Sequence, residues 1–128
     1  MLFEYKNTVL STEAYMENCI FCKIIKGEIP STKIYEDEDM LIIKDVNPQA
    51  KIHYLLLPKE HYANIVEMSD VQAQTLARCI KKLSAMVDQL GLQNGFRLVS
   101  NKGKDACQSV EHLHIHILGG EPLSDSMC

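Results

Sequence analysis

The stretch HLHIHIL (residues 112–118) alternates imidazole with aliphatic side chains. A β-strand sends successive side chains to opposite faces. The segment therefore reads as a strand whose Leu113, Ile115 and Ile117 enter a core. His112, His114 and His116 then stand in a row on the other face, about 7 Å apart at roughly 3.3 Å per residue. Three of the chain's five histidines fall in this row. The row has three readings: the solvated face of an edge strand, a metal site built from histidines at i and i+2, or imidazole chemistry. In the third, one ring attacks phosphorus or an acyl carbon while a neighbour carries a proton to the leaving group.

Upstream lies SNKGKDACQS (residues 100–109), a polar loop that offers Asn101, Gln108 and Ser109 together with turn-prone backbone N–H groups. Such groups suit the non-bridging oxygens of a phosphate. An amide-rich loop feeding directly into a histidine row is more specific than either feature alone, and it favours the third reading.

The remaining segments supply the frame. GFRLVSN (95–101) reads as the strand before that loop. Ser69 and Gln72 form a capping-box pattern at the head of a long helix. Its apolar stripe is Ala73, Leu76, Ala77, Ile80, Leu83, Val87 and Leu90, and Gly91 is its stop. TKIYED and DMLIIKDV read as a hairpin, and NPQ as a turn. HYLLLP reads as a strand buried on both faces, and KEHYANIVEM as a connection with a turn of helix. CIFCKIIKGEI reads as a short helix ended by Gly27, with Pro30 forbidding its continuation. The order αβββαββ, with short links between most strands, indicates an antiparallel α+β fold.

At 128 residues the chain suits one domain, over 18–128, and residues 1–17, which lack a clear period, read as a poorly ordered N-terminal extension. A net charge of −4 opposes nucleic acid or a membrane surface as partner. No apolar run approaches the roughly 20 residues of a membrane span. Glu4 and Lys6 interrupt the region where a signal peptide needs apolar residues, so a cytoplasmic location is expected. Five cysteines in such a chain argue against a disulfide framework. Cys19-x-x-Cys22 then reads as a redox motif or half of a zinc site; the strand and βαβ context that a thioredoxin-like motif wants is not seen.

HLHIHIL is a complete His-φ-His-φ-His-φ-φ signature, with φ hydrophobic. With CIFCKIIKGEIPSTKIYED, DVNPQAKIHYLLLPKEH and QSVEHLHIHILGG in the same order, residues 18–120 resemble the histidine triad (HIT) superfamily, in particular its Hint-like nucleotide-binding branch. The resemblance implies a HIT fold: a five-stranded antiparallel sheet with one long and one short helix, and sheets joined across a homodimer. It implies hydrolysis of purine nucleoside 5′-monophosphoramidates of the AMP-amine type. His114 would be the nucleophile that becomes nucleotidylated, His116 the proton donor, and His53 a histidine beside the triad. Asn101, Gln108 and Ser109 map to phosphate contacts, and Asp45 to the acceptor of ribose hydroxyls. Phe21, Ile24 and Ile29 map to an apolar clamp on the base, with Ile43 an additional base-side contact. His61 and His112 match the partners that complete a Cys2His2 zinc site with Cys19 and Cys22. Zinc is then structural, and the chemistry does not need it.

The chain departs from the family pattern at Cys107, where glycine is common in the phosphate loop, and at Glu111, where the nearest relatives often carry tyrosine. Its tail EPLSDSMC lacks the tryptophan-containing end of several Hint proteins, an end that influences leaving-group preference in that branch. Three rival readings stay open at this level. One is a nucleotide-binding scaffold with incidental catalysis. Another is a dinucleoside polyphosphate hydrolase or nucleotidyl transferase with the same nucleophile. The third is a hydrolase whose zinc is held by the histidine row itself.

Overall fold

In the computed structural model, which describes residues 18–126, helix α1 spans Ile20–Ile25 and is capped by a thiol: Cys19 Sγ accepts the backbone N–H of Cys22 at 3.3 Å. Gly27 follows at φ 84°, a left-handed position that glycine enters without a steric penalty. Strands β1 (Lys33–Glu36) and β2 (Met40–Lys44) form the expected hairpin. Its turn is built on Asp37, whose Oδ1 accepts the N–H groups of Asp39 and Met40 at 2.8 and 3.0 Å. Strand β3 (Ile52–Pro58), helix α2 (Asp70–Ala85), strand β4 (Phe96–Ser100), a short 3-10 turn (Lys104–Ala106) and strand β5 (Ile115–Gly119) complete the order. All pairings are antiparallel, in the spatial order β1-β2-β3-β5-β4. The expected N-terminal extension, residues 1–17, lies outside the described residues.

The sheet has a different layer on each face. Met40, Ile42, Leu56, Ile115 and Ile117 pack with Leu76, Cys79 and Leu83 of α2. The alternate residues Leu41, Ile43, Leu55 and Leu57 pack with Phe21, Cys22 and Ile24 of α1. Leu55 to Leu57 are therefore buried on both faces, as the continuous leucine run requires. His53 and His116 share the α1 face because their neighbours in register are Leu118 and Leu55.

Four local expectations are corrected. The last strand begins at Ile115 rather than at His112, because the N–H of Leu113 leaves the sheet and donates to the carbonyl of Tyr62 at 2.7 Å. The histidines thus share no exposed row: His112 and His114 are buried ahead of the strand, and only His116 sits within it and partly meets solvent. Helix α2 ends at Ala85, short of Gly91; Val87 and Leu90 still pack on the core, but from turns beyond the helix. Its buried stripe runs through Leu76, Cys79 and Leu83, while Ile80 is 37% exposed. The connection after β3 contains no helix: Asn64 Oδ1 instead accepts the N–H groups of Val66 and Glu67 and ties a turn. Among the described residues no helix is long and apolar enough to cross a membrane.

Candidate active site and metal centre

Residues 112–116 leave the Tyr62 contact and enter β5, so the three triad rings face three different surroundings. His112 is fully buried and its Nε2–H donates to the carbonyl of Pro58 at 2.9 Å. A carbonyl only accepts, so this bond fixes the tautomer and leaves Nδ1 with a free lone pair. That nitrogen lies 3.1 Å from His61 Nδ1, 3.5 Å from Cys19 Sγ and 3.6 Å from Cys22 Sγ; Cys22 Sγ lies 3.3 Å from His61 Nδ1. All four donor atoms fall within 4.8 Å of one another. A tetrahedral ion with ligands at about 2.0–2.3 Å sets its donors roughly 3.3–3.8 Å apart, so the spacing fits zinc.

The chemistry of the donor set agrees. Burial and the adjacent Cys19 push the Cys22 thiol up to about 12. A metal cation at this point is what turns such thiols into thiolates. Burial, outweighing the Pro58 bond, takes His112 down to about 4, and burial lowers His61 as well. Both rings are therefore neutral and able to ligate. Cys19, Cys22, His61 and His112 form a Cys2His2 centre with the closed donor set of a structural zinc site.

His114 is bound in the opposite sense. Its Nδ1–H donates to the carbonyl of His112 at 2.8 Å, so Nε2 carries the lone pair. Phe21 packs edge-on against the ring at 5.0 Å between centroids, and His116 lies at 5.3 Å. Phe21, Ile24 and Ile43, expected at the base, are buried in the α1-side core, and Ile29 packs against it half-exposed.

His116 takes part in a chain of bonds that also fixes its tautomer. The backbone N–H of Gln49 donates to His53 Nδ1 at 2.9 Å, which leaves the proton of neutral His53 on Nε2. That Nε2 lies 2.9 Å from His116 Nδ1 and 3.3 Å from Asp45 Oδ2. His116 therefore accepts at Nδ1 and presents Nε2–H. Burial lowers both rings, His114 and His53 adding to the effect at His116, while Asp45 opposes it at both. Asp45 Oδ1 accepts the N–H of Asn47 at 2.8 Å. The donor atoms of Asp45, His53 and His116 are also close enough for a metal, but hydrogen bonds already occupy both nitrogens of His53 and Nδ1 of His116. The histidine row thus does not converge on one ion.

A cavity of about 510 Å³ opens beside His53 and His116, with Val99 and Leu118 as apolar wall and Asn101, Asp105 and Cys107 from the loop opposite. Cys107 holds the left-handed conformation, at φ 60°, that glycine takes more readily. The amide of Gln108 braces the loop: Oε1 accepts the N–H of Gly103, and Nε2 donates to the carbonyls of Ala63 and Val110. Ser109 lines a separate cavity with Cys19, His61 and Glu111. Sequence reading missed Gln49, which acts through its backbone, and Asp105 and Val99, whose place on the cavity wall depends on pairings distant in sequence.

Comparison with known proteins agrees with this geometry. The family model for the HIT domain matches residues 26–123. Protein HitA of Neisseria gonorrhoeae is 42% identical over 104 residues, which is 81% of this chain and 97% of that protein. A 14 kDa zinc-binding protein of Zea mays is 41% identical over 107 residues, covering 82% of this chain and 84% of its own. The structure of a HIT family hydrolase from Clostridium thermocellum superposes with a TM-score of 0.81 at 47% identity, covering 88% of this chain and 98% of that one.

Proposed function

Because this chain belongs to the HIT domain family, we propose that it is a nucleotide-binding hydrolase that cleaves the P–N bond of purine nucleoside 5′-monophosphoramidates. The observation that carries the reading is the bond from His114 Nδ1–H to the His112 carbonyl, which leaves Nε2 unprotonated beside His116. An imidazole held in this way is a ready nucleophile toward phosphorus.

The reaction runs in two halves. Nε2 of His114 attacks the α-phosphorus, and the bond to nitrogen breaks. The leaving nitrogen takes the Nε2 proton of His116, while the His53 Nε2–H draws toward the vacated charge through His116 Nδ1. The nucleotidyl-imidazolium formed at His114 balances that charge, and its remaining proton stays on Nδ1, donated to the His112 carbonyl. Water then attacks phosphorus, the bond from phosphorus to His114 Nε2 breaks, and the water returns a proton to His116 Nε2, giving the nucleoside monophosphate and free His114. Asn101, on the wall of the cavity beside His116, is the contact to the phosphate oxygens. Asp45 accepts the ribose hydroxyls through its Oδ2 edge.

Zinc at Cys19, Cys22, His61 and His112 supplies structure to this scheme, tying α1 to the residues just before β5. The Zea mays relative, a zinc-binding protein, supports that assignment. A second copy of the chain is the partner we infer for strand β4, a sheet edge that carries Phe96 and Leu98 at 39% and 37% exposure; sedimentation at micromolar concentration should give twice the chain mass.

The test of function is turnover of an adenosine 5′-phosphoramidate by the full chain, with AMP and free amine released in equal amounts. His114→Ala should lose this by at least about a thousandfold while still binding AMP. Tight AMP binding with no turnover of any phosphoramidate by the native chain would leave a nucleotide-binding protein in place of the enzyme.

A further inference from the structure

The cavity beside His116 has one charged side chain on its wall that the reaction scheme does not use. Asp45, the acceptor assigned to ribose, is not part of its wall, whereas His116, the donor to the leaving nitrogen, is. His116 faces this space, so a nitrogen that takes its proton departs into it. Among the described residues its wall holds one carboxylate, Asp105 on the 3-10 turn, and no lysine or arginine side chain. Lys102 and Lys104 of the same loop are exposed and lie outside the lining. The two imidazoles on the wall are lowered by burial and add no fixed positive charge near neutral pH. Val99 and Leu118 supply an apolar floor between His116 and the loop.

We propose that Asp105 is a specificity-determining residue, and that the site takes leaving amines with an apolar stem and a second, cationic nitrogen. An anionic leaving group, such as the second nucleotide of a dinucleoside polyphosphate, would meet a carboxylate with no countercharge on the wall. The apolar stem lies along Val99 and Leu118, with the far ammonium toward Asp105. The contact is solvent-accessible, so it contributes in the range of exposed ion pairs, about fivefold in kcat/KM. This inference rests on the phosphoramidate reading above and narrows its substrate class.

Three adenosine 5′-phosphoramidates of matched stem test it: those of butylamine, of 1,4-diaminobutane joined through one nitrogen, and of 4-aminobutanoate. The full chain should rank them ammonium over methyl over carboxylate in kcat/KM, with about fivefold per step at low salt and compression of the steps at high salt. Asp105→Asn should lower the ammonium-to-methyl ratio to near one, and Asp105→Glu should retain the ranking. A carboxylate conjugate turned over as fast as the ammonium one, or a ratio that Asp105→Asn leaves unchanged, overturns the role of Asp105 while the enzymatic reading stands. Turnover of none of the three overturns both.

Discussion

The ring of His114 is bonded through Nδ1 to the backbone carbonyl of His112, 2.8 Å away, while the ring of His112 turns its own Nδ1 into the Cys19–Cys22–His61 cluster. One residue thus serves the metal centre with its side chain and the nucleophile with its backbone. Neighbouring triad histidines hold opposite tautomers because each is bonded to a different partner.

Loss of metal should cost stability before it costs chemistry. The metal centre reaches His114 through the backbone of His112 and the packing of Phe21 on the ring, not through a ligand bond, whereas the cluster itself joins α1 to the segment ahead of β5 and lies in buried surroundings. A strong chelator, or Cys22→Ser, should lower the melting temperature by 10 °C or so, on the order of several kcal/mol. Residual kcat at 20 °C should stay within about tenfold of the native value. Calorimetry with parallel assays checks this; complete loss of turnover before any change in melting would mean that the metal takes part in the reaction.

His116→Ala should show a loss that depends on the leaving group. A proton donor matters most when the departing atom is strongly basic. Turnover of an alkylamine conjugate should fall about 10²- to 10⁴-fold, and that of a p-nitrophenyl ester of AMP by far less. Equal losses for both would assign His116 to binding.

The acid side of the pH–rate profile should lie below the ordinary histidine value of about 6.5. Burial lowers both His116 and His53, so protonation sets in only at more acidic pH. Asp45 pulls both rings the other way. Replacing it with Asn removes that pull, so the acid limb should move further down in pH while KM for the nucleotide rises. An upward shift would contradict the electrostatic role given to Asp45.

Asp37 links the first hairpin to α2. Its Oδ2 is 2.8 Å from Lys82 Nζ and from the Tyr35 hydroxyl, and its Oδ1 holds the turn. Burial opposes the charge, but the Lys82 ammonium, the two N–H groups and the hydroxyl outweigh it and hold the carboxyl well below the usual range. The folded state therefore binds this proton less readily than the unfolded chain. The resulting stability is present above about pH 4 and is lost as pH falls below it. Asp37→Ala should cost about 1–2 kcal/mol at pH 7, measured by urea unfolding, with a smaller difference from the native chain at pH 3.

Periodicity made most of this fold legible. The alternation of 112–118 sent Leu113, Ile115 and Ile117 to the α2 side, and the leucine run of β3 fixed it as a strand buried on both faces. The capping box at Ser69 and Gln72 is formed as its pattern requires. What periodicity does not carry is which backbone groups leave the sheet. The single bond from Leu113 to Tyr62 shortens β5 and separates His112 from the other two triad rings. Nor does it distinguish Cys79 from Ile80, adjacent residues of which only the cysteine meets the core. The Cys2His2 set was readable from spacing and family likeness together, since two of its ligands come from segments distant in sequence. Asp105 and Gln49 were not readable, because their parts depend on where two loops come to rest around His53 and His116.

The most direct measurement is a rapid quench of the full chain with an adenosine 5′-phosphoramidate, followed by proteolysis and mass spectrometry under conditions that preserve phosphoramidate bonds. An adenylyl group on the peptide carrying HLHIHIL, localised to His114 and absent from His114→Ala, is the expected result. Turnover that proceeds with no adduct under conditions where a synthetic nucleotidyl-histidine survives, or an adduct localised to His116 or His53, would contradict the account.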